Sequence, residues 1–186
     1  MKKRLYIFVA ALWLGFPVEA QVEVITLGES TSGWGGAASL TQDAYEGQFA
    51  IAYDAPGEKT GFLSFDHSST GIDLTQYRRI AFWWKTEGRG LRDLKIKVRN
   101  YPLVVGMEAV YTLHDAGDAP TEWTLAVAEI ASPQFDDWGG EPDLVRRYIT
   151  FRTVTDSGSS VRLFIDRIIV LPETFSWAAG TPTFDP

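Results

Sequence analysis

Cysteine is absent from all 186 residues. That excludes a disulfide framework, a thiolate metal centre and a cysteine nucleophile. Histidine occurs only twice, at His67 and His114. Each lies in a polar, turn-like stretch, so no H-x-x-x-H metal pair can form along one helix. The chain has no G-x-S-x-G elbow, phosphate-binding glycine loop, dinucleotide fingerprint or haem motif. An excess of basic residues is also missing: 17 Lys and Arg stand against 24 Asp and Glu, for a net charge of −7. A chain this acidic has no electrostatic footprint for duplex nucleic acid or an anionic membrane surface. No stretch after residue 20 is apolar enough to span a bilayer, and no long amphipathic helical pattern occurs.

Export signals are present at the start. Met1-Lys2-Lys3-Arg4 is a basic n-region, residues 5–16 form an apolar h-region, and Val18-Glu19-Ala20 suits cleavage before Gln21. Pro17 and Glu19 end the apolar run short of the roughly 20 residues a spanning helix needs. An uncleaved membrane anchor is the alternative weighed against a signal peptide. The expected organisation is a signal peptide at 1–20, one domain at 21–172 and a Pro-rich tail at 173–186, with the protein secreted or periplasmic. Removing Lys2, Lys3, Arg4 and Glu19 makes the remainder more acidic still, at −9. A domain of this size buries on the order of 70% of its unfolded surface, enough to fold without staples.

The remaining sequence reads as short strands. Residues 22–27 are rich in β-branched side chains. Residues 38–42, 48–54, 61–65, 80–85, 94–99, 107–113, 122–130, 147–154 and 161–171 follow, separated by Gly, Pro and Asp turns. Gly28 to Gly36 reads as a loop around Trp34, residues 74–77 as one helical turn, and residues 132–143 as a long loop. Alternation assigns faces. Leu94, Ile96 and Val98 point inward and Lys95, Lys97 and Arg99 outward, while Ile80, Phe82 and Trp84 oppose Ala81, Trp83 and Lys85. About ten short strands without a long helix predict an all-β antiparallel sandwich, with a jelly roll as the expected version.

Three segments carry a family resemblance. Asp73-Leu74-Thr75-Gln76-Tyr77-Arg78-Arg79-Ile80-Ala81-Phe82-Trp83-Trp84-Lys85 resembles the D-L-S-x-Y-x-x-I-S-F-W-V-K segment of galactose-binding-like jelly rolls. These include carbohydrate-binding modules and complex I intermediate-associated protein domains. Trp123-Thr124-Leu125-Ala126-Val127 and residues 161–170, with Ile165-Asp166-Arg167-Ile168, resemble two later strands of that family in the same order. The resemblance implies the jelly-roll fold and a structural calcium held by hard oxygen ligands. Its ligands would be Asp166, with Glu46 or Asp43 from the turn before Gly47 and Glu29 after the first strand. The family's Phe-Glu at the first strand end is replaced here by Leu27-Gly28-Glu29. A metal-free Asp166 bonded to backbone is the alternative.

The resemblance also implies a glycan ligand. Glycan binding needs an aromatic plane for the sugar ring beside polar side chains for its hydroxyls. On the face opposite the core, Trp83 is the candidate plane, with Lys97, Arg99 and Arg152 as ligand contacts if their strands share a sheet. An Arg could pair with a carboxylate or sulfate on the sugar. The bland alternative is a solvated face whose Lys and Arg pair across strands with Asp and Glu. The expected function is therefore an exported, non-catalytic carbohydrate-binding module. A protein–protein interaction or assembly domain of the same fold comes second. A polysaccharide lyase or hydrolase comes third; it would require His67 or His114 to meet Arg and Tyr in one cleft, and the loop carboxylates Asp136, Asp137 and Glu141 read as solvated.

Overall fold

The computed structural model describes residues 22–57, 60–67, 71–73, 76–99, 109–115, 117–129, 134–135, 145–146, 148–173 and 175. The expected leader, nearly all of the expected tail and the carboxylate loop around Trp138 lie outside the described residues. The described residues form twelve β-elements. They are β1 (Glu23–Thr26), β2 (Trp34–Gly35), β3 (Ser39–Thr41), β4 (Ala50–Ala55), β5 (Thr60–Asp66), β6 (Ile72–Asp73), β7 (Tyr77–Arg99), β8 (Ala109–His114), β9 (Thr124–Glu129), β10 (Gln134–Phe135), β11 (Val145–Arg146) and β12 (Tyr148–Pro172). All pairings between them are antiparallel. No described helix is long and apolar enough to cross a membrane.

Two long strands organise the fold. β7 (23 residues) and β12 (25 residues) run antiparallel along nearly their whole length, from Tyr77↔Pro172 to Arg99↔Tyr148. The ribbon they form turns a corner at Gly88 and Gly90, whose φ angles of 90° and 93° lie in the left-handed region that favours glycine. A Cβ at Gly88 would run into the Ser160 carbonyl. Opposite this corner the register jumps from Thr155↔Leu91 to Ser160↔Arg89, so residues 156–159 bulge out of the ladder. The corner divides the ribbon between two layers. In the first sheet, β4 pairs with 161–165 of β12, β1 with 168–170, and β9 with 79–84 of β7, while β3 lies beyond β4. In the second sheet, β5 pairs with 148–154 of β12 and β8 with 94–98 of β7, with β2 and β10 on the edges.

The layers face each other across one core. Ile80, Phe82 and Trp84 from the first sheet meet Leu94, Ile96, Val98, Ile149 and Phe151 from the second. Phe82 and Phe151, both fully buried, touch edge to face with ring centroids 5.1 Å apart. Burial of each ring stabilises the sandwich by roughly 1.5–3 kcal/mol, and the edge-to-face geometry adds about 1 kcal/mol.

The antiparallel sandwich agrees with the sequence reading, and so do the inward sets. Two details differ. The strands expected at 80–85 and 94–99 are one continuous strand, as are those at 147–154 and 161–171, because the ladder persists around the glycine corner. Trp34, expected in a loop, forms a two-residue strand on Phe65 and Ser64 and packs on the core, tilted against the Phe65 ring at 5.1 Å and stacked over Phe151 at 6.3 Å. Residues 74 and 75 of the expected helical turn lie outside the described residues; beside them, Gln76 N–H donates to the Asp73 carbonyl at 3.1 Å.

Candidate functional site

The outward face of the second sheet follows directly from the register. Since Leu63, Leu94, Ile96, Ile149 and Phe151 point into the core, their neighbours Phe62, Lys95, Lys97, Tyr148 and Arg152 point away from it. Phe62, Arg152 and Lys95 form one row across β5, β12 and β7, and Thr112 of β8 continues it. The next row is Ser64, Thr150 and Lys97. Phe62 is 47% exposed, the largest exposure among the big apolar side chains of the described residues. Arg152 Nη1 donates to Asp93 Oδ2 at 3.0 Å, and Lys95 Nζ lies 3.8 Å from the same oxygen. Asp93 thereby fixes the guanidinium against the sheet and leaves most of its N–H groups for other partners. The described side chains of this face thus include an exposed ring beside a braced guanidinium and two ammonium groups.

Lys97 and Arg152 therefore stand together as expected. The Arg99 backbone pairs with Tyr148 on the same side of the ribbon, but its side chain lies outside the described residues. Trp83 does not join them, which corrects the expected common platform. It belongs to the first sheet, beyond the glycine corner, paired with Asp166 and Leu125. It does point away from the inter-sheet core, yet it is only 1% exposed. Tyr45 stacks on it at 4.6 Å with an interplanar angle of 16°. Trp123 meets both Tyr45 and Phe164 edge-on at 6.4 Å. Lys85, 5.0 Å from the Phe164 ring, is ion-paired with Asp43. Alternation identified the side of the strand correctly but carried no information about the chain segment that covers it.

That segment, residues 43–46, brings two backbone amides onto Asp166. Asp166 is fully buried, and its Oδ2 accepts hydrogen bonds from the Tyr45 N–H at 2.8 Å and the Glu46 N–H at 3.1 Å. Its Oδ1 is buried without a hydrogen-bond partner. Burial first, with the nearby Glu29 charge contributing, pushes the Asp166 carboxyl up to about 7. Gly28 leaves room beside it, since a Cβ there would stand 2.8 Å from Oδ1. Glu29 accepts from the Gln48 N–H at 2.8 Å. Asp43 and Glu46 are engaged elsewhere: Asp43 with Lys85, and Glu46 with the buried Arg167. The orphaned Asp166 oxygen and neighbouring Glu29 suit a hard cation, whereas Asp43 and Glu46 already have counter-ions. Among the described residues no group of three or more His, Asp and Glu side chains is arranged to hold a metal ion.

The two histidines stand far apart. His67 follows β5 at the Tyr148 end of the second sheet, against Phe65, and burial lowers it below the usual imidazole range. His114 sits opposite Leu94, towards the corner, with Nε2 3.2 Å from the Leu91 carbonyl. At about 3.3 Å per residue and 4.8 Å per strand, they cannot converge on one cleft. A cavity of about 400 Å³ opens at the corner between Arg89 and Asp118, and neither histidine lines it.

The fold has known counterparts. At 15% identity and a TM-score of 0.59, 81% of the chain superposes on 95% of a family 11 carbohydrate-binding module from Clostridium thermocellum, in complex with a β-1,3-1,4-mixed-linked tetrasaccharide. The family 11 module of the cellulosomal cellulase Lic26A-Cel5E from the same organism matches with 13% identity and a TM-score of 0.58, covering 82% of this chain and 95% of that one. The family 30 module of its cellulosomal cellulase Cel9D-Cel44B matches at 14% and 0.52, over 82% of this chain and 88% of that one. The chain thus has the β-sandwich fold seen in these carbohydrate-binding modules. No family model and no curated protein matches its sequence.

Proposed function

We propose that this protein is an exported, non-catalytic glycan-binding module whose ligand lies across the outward face of the second sheet. The observation that carries the reading is the exposed Phe62 ring directly beside Arg152 on a solvent-facing sheet. A sugar ring needs an apolar plane and fixed polar groups beside it, and rigid strands hold such a pair better than loops do. Phe62 takes the role that sequence reasoning gave to Trp83. Lys95, Lys97 and Arg152 supply the donors, and Tyr148 extends the face by one row. The three structural neighbours support the same reading, since all are carbohydrate-binding modules. Release to a periplasmic or extracellular space after cleavage near Ala20 is part of the proposal, as is a structural calcium ion at Asp166 and Glu29.

Glycan-array binding and affinity electrophoresis of wild type beside Phe62→Ala test this function. Retention of the wild type by a polysaccharide, lost in a normally folded Phe62→Ala variant, is the expected result. A variant retained as strongly as the wild type would remove this face from consideration.

A further inference from the structure

We propose that the cavity at the glycine corner is a second ligand site, separate from the face of Phe62, and that it takes a neutral mono- or disaccharide, free or at the end of a chain. The cavity, of about 400 Å³, is lined by two chain segments. One is the corner of β7, where Gly88 and Gly90, at φ angles of 90° and 93°, flank Arg89. The other is the connection from β8 to β9, which contributes Asp118 and Thr121. That connection is pinned to β7, because the Thr86 N–H and the Thr86 hydroxyl both donate to the Pro120 carbonyl, at 2.8 and 3.1 Å. Buried Leu91 and Val161 line the cavity from the core side. Backbone contacts thus hold both segments, and a pre-formed cavity costs a ligand little in ordering.

The charges single this cavity out. Every other Lys or Arg side chain of the described residues has a carboxylate, a carbonyl or another partner. Arg89 alone among them makes no hydrogen bond, ion pair or ring contact, and Asp118 makes none either. A cation and an anion therefore border one space without pairing with each other. A ligand between them must accept from a guanidinium and donate to a carboxylate. A hydroxyl does both, and two vicinal hydroxyls match the planar fork of Arg89. The Thr121 hydroxyl can donate or accept, and Thr86 Oγ1, its proton given to Pro120, still accepts. A small zwitterion would meet the two charges alone, and a polyanion would face Asp118. No aromatic ring among the described residues lines the cavity, so hydrogen bonds rather than stacking would hold the sugar. The volume lies near the lower end of the roughly 300–1,000 Å³ of small-ligand pockets, which suits one or two sugar rings. Arg89 is roughly 20 Å of strand from Lys95, so one such ligand cannot touch both sites.

The test is a titration of the whole, isotopically labelled protein, read from assigned amide chemical shifts. The probes are glucose, galactose, their β-1,4-linked disaccharides, and free glycine as the zwitterion, each raised through the millimolar range. Wild type, Arg89→Gln, Asp118→Asn and Phe62→Ala are compared, with circular dichroism as the check on folding. Arg89 and Asp118 have no partners within the fold, so their substitution should leave it intact. The expected result is saturable shifts at residues 88–90 and 117–119 with at least one sugar. Affinity should fall at least tenfold in Arg89→Gln and in Asp118→Asn, stay unchanged in Phe62→Ala, and vary less than about twofold between low and high salt. Saturable shifts with glycine and none with the sugars, or a strongly salt-dependent affinity, would overturn the neutral sugar as ligand. Sugar shifts that either Arg89→Gln or Asp118→Asn leaves unchanged, or that are confined to the strands around Phe62, would overturn the corner site while leaving the Phe62 face standing. No saturable shift with any sugar overturns the inference outright.

Discussion

Replacing Asp166 by Asn should make the protein more stable at pH 8 in chelator, because the variant carries no buried carboxyl to ionise, and calcium should narrow that advantage. Asp166 is fully buried, and its carboxyl is raised from an ordinary 3.8 to about 7, chiefly by burial. Below pH 4 the group is protonated in both the folded and unfolded chain. Between about 4 and 7 the unfolded chain releases this proton while the folded chain keeps it, so native stability falls as pH rises through that window and levels off above it. Roughly three units at about 1.4 kcal/mol each set a ceiling on the order of 4 kcal/mol at pH 8. Asn keeps an oxygen for the Tyr45 and Glu46 N–H groups and carries no charge, so the variant should lack this pH dependence. Urea denaturation of both proteins in EDTA, at intervals from pH 5.5 to 8, reads the difference. A wild type and variant that stay parallel across the window would refute the reasoning about burial. With calcium at a hundred times its dissociation constant, the wild type should gain about 2.7 kcal/mol that the variant cannot. Absence of that gain would dismiss the cation.

Three further outcomes probe the scaffold. Phe151→Ala, which removes a fully buried ring at the meeting of the two sheets, should cost about 3–5 kcal/mol in denaturant unfolding. Gly88→Ala should cost clearly more than Gly117→Ala, although both glycines have positive φ. Only at Gly88 does the new Cβ meet a backbone carbonyl, while Gly117 has nothing within 4 Å. Comparing their thermal midpoints isolates the corner from the ordinary left-handed penalty, and equal shifts would show that the ribbon bends elsewhere. Tyr45→Ala should uncover Trp83, raising acrylamide quenching of tryptophan fluorescence and lowering stability by about 1–2 kcal/mol.

Much of the sandwich was legible because alternation is a local property of the chain. Leu94, Ile96 and Val98 reach the core, and Lys95 and Lys97 face away from it, simply because a pleated strand turns successive side chains to opposite sides. The backbone amides of Tyr45 and Glu46 bind the Asp166 carboxylate, which is the backbone-bonded arrangement weighed as the alternative to a calcium ligand. What alternation cannot convey is which residues share a sheet after the chain bends. Trp83 and Lys97 lie on the same long strand and both point away from the core, but Gly88 and Gly90 fold that strand between them. The two outward faces consequently back onto opposite sides of the sandwich.

The same geometry explains why Phe62 escaped notice. A phenylalanine in an apolar strand is ordinarily assigned to the core, and only the partner register shows otherwise. Leu63 pairs with the buried Phe151, so Phe62 must lie on the side of Arg152. Its exposure is therefore a consequence of the strand's phase and cannot be relieved by a rotamer change. Turning Phe62 inward would require a one-residue slip of β5, which would expel Leu63 and Phe65 from the core at the same time. The core thus fixes an aromatic ring at the surface beside the braced Arg152, and that fixed pairing is the feature on which the proposed binding face rests.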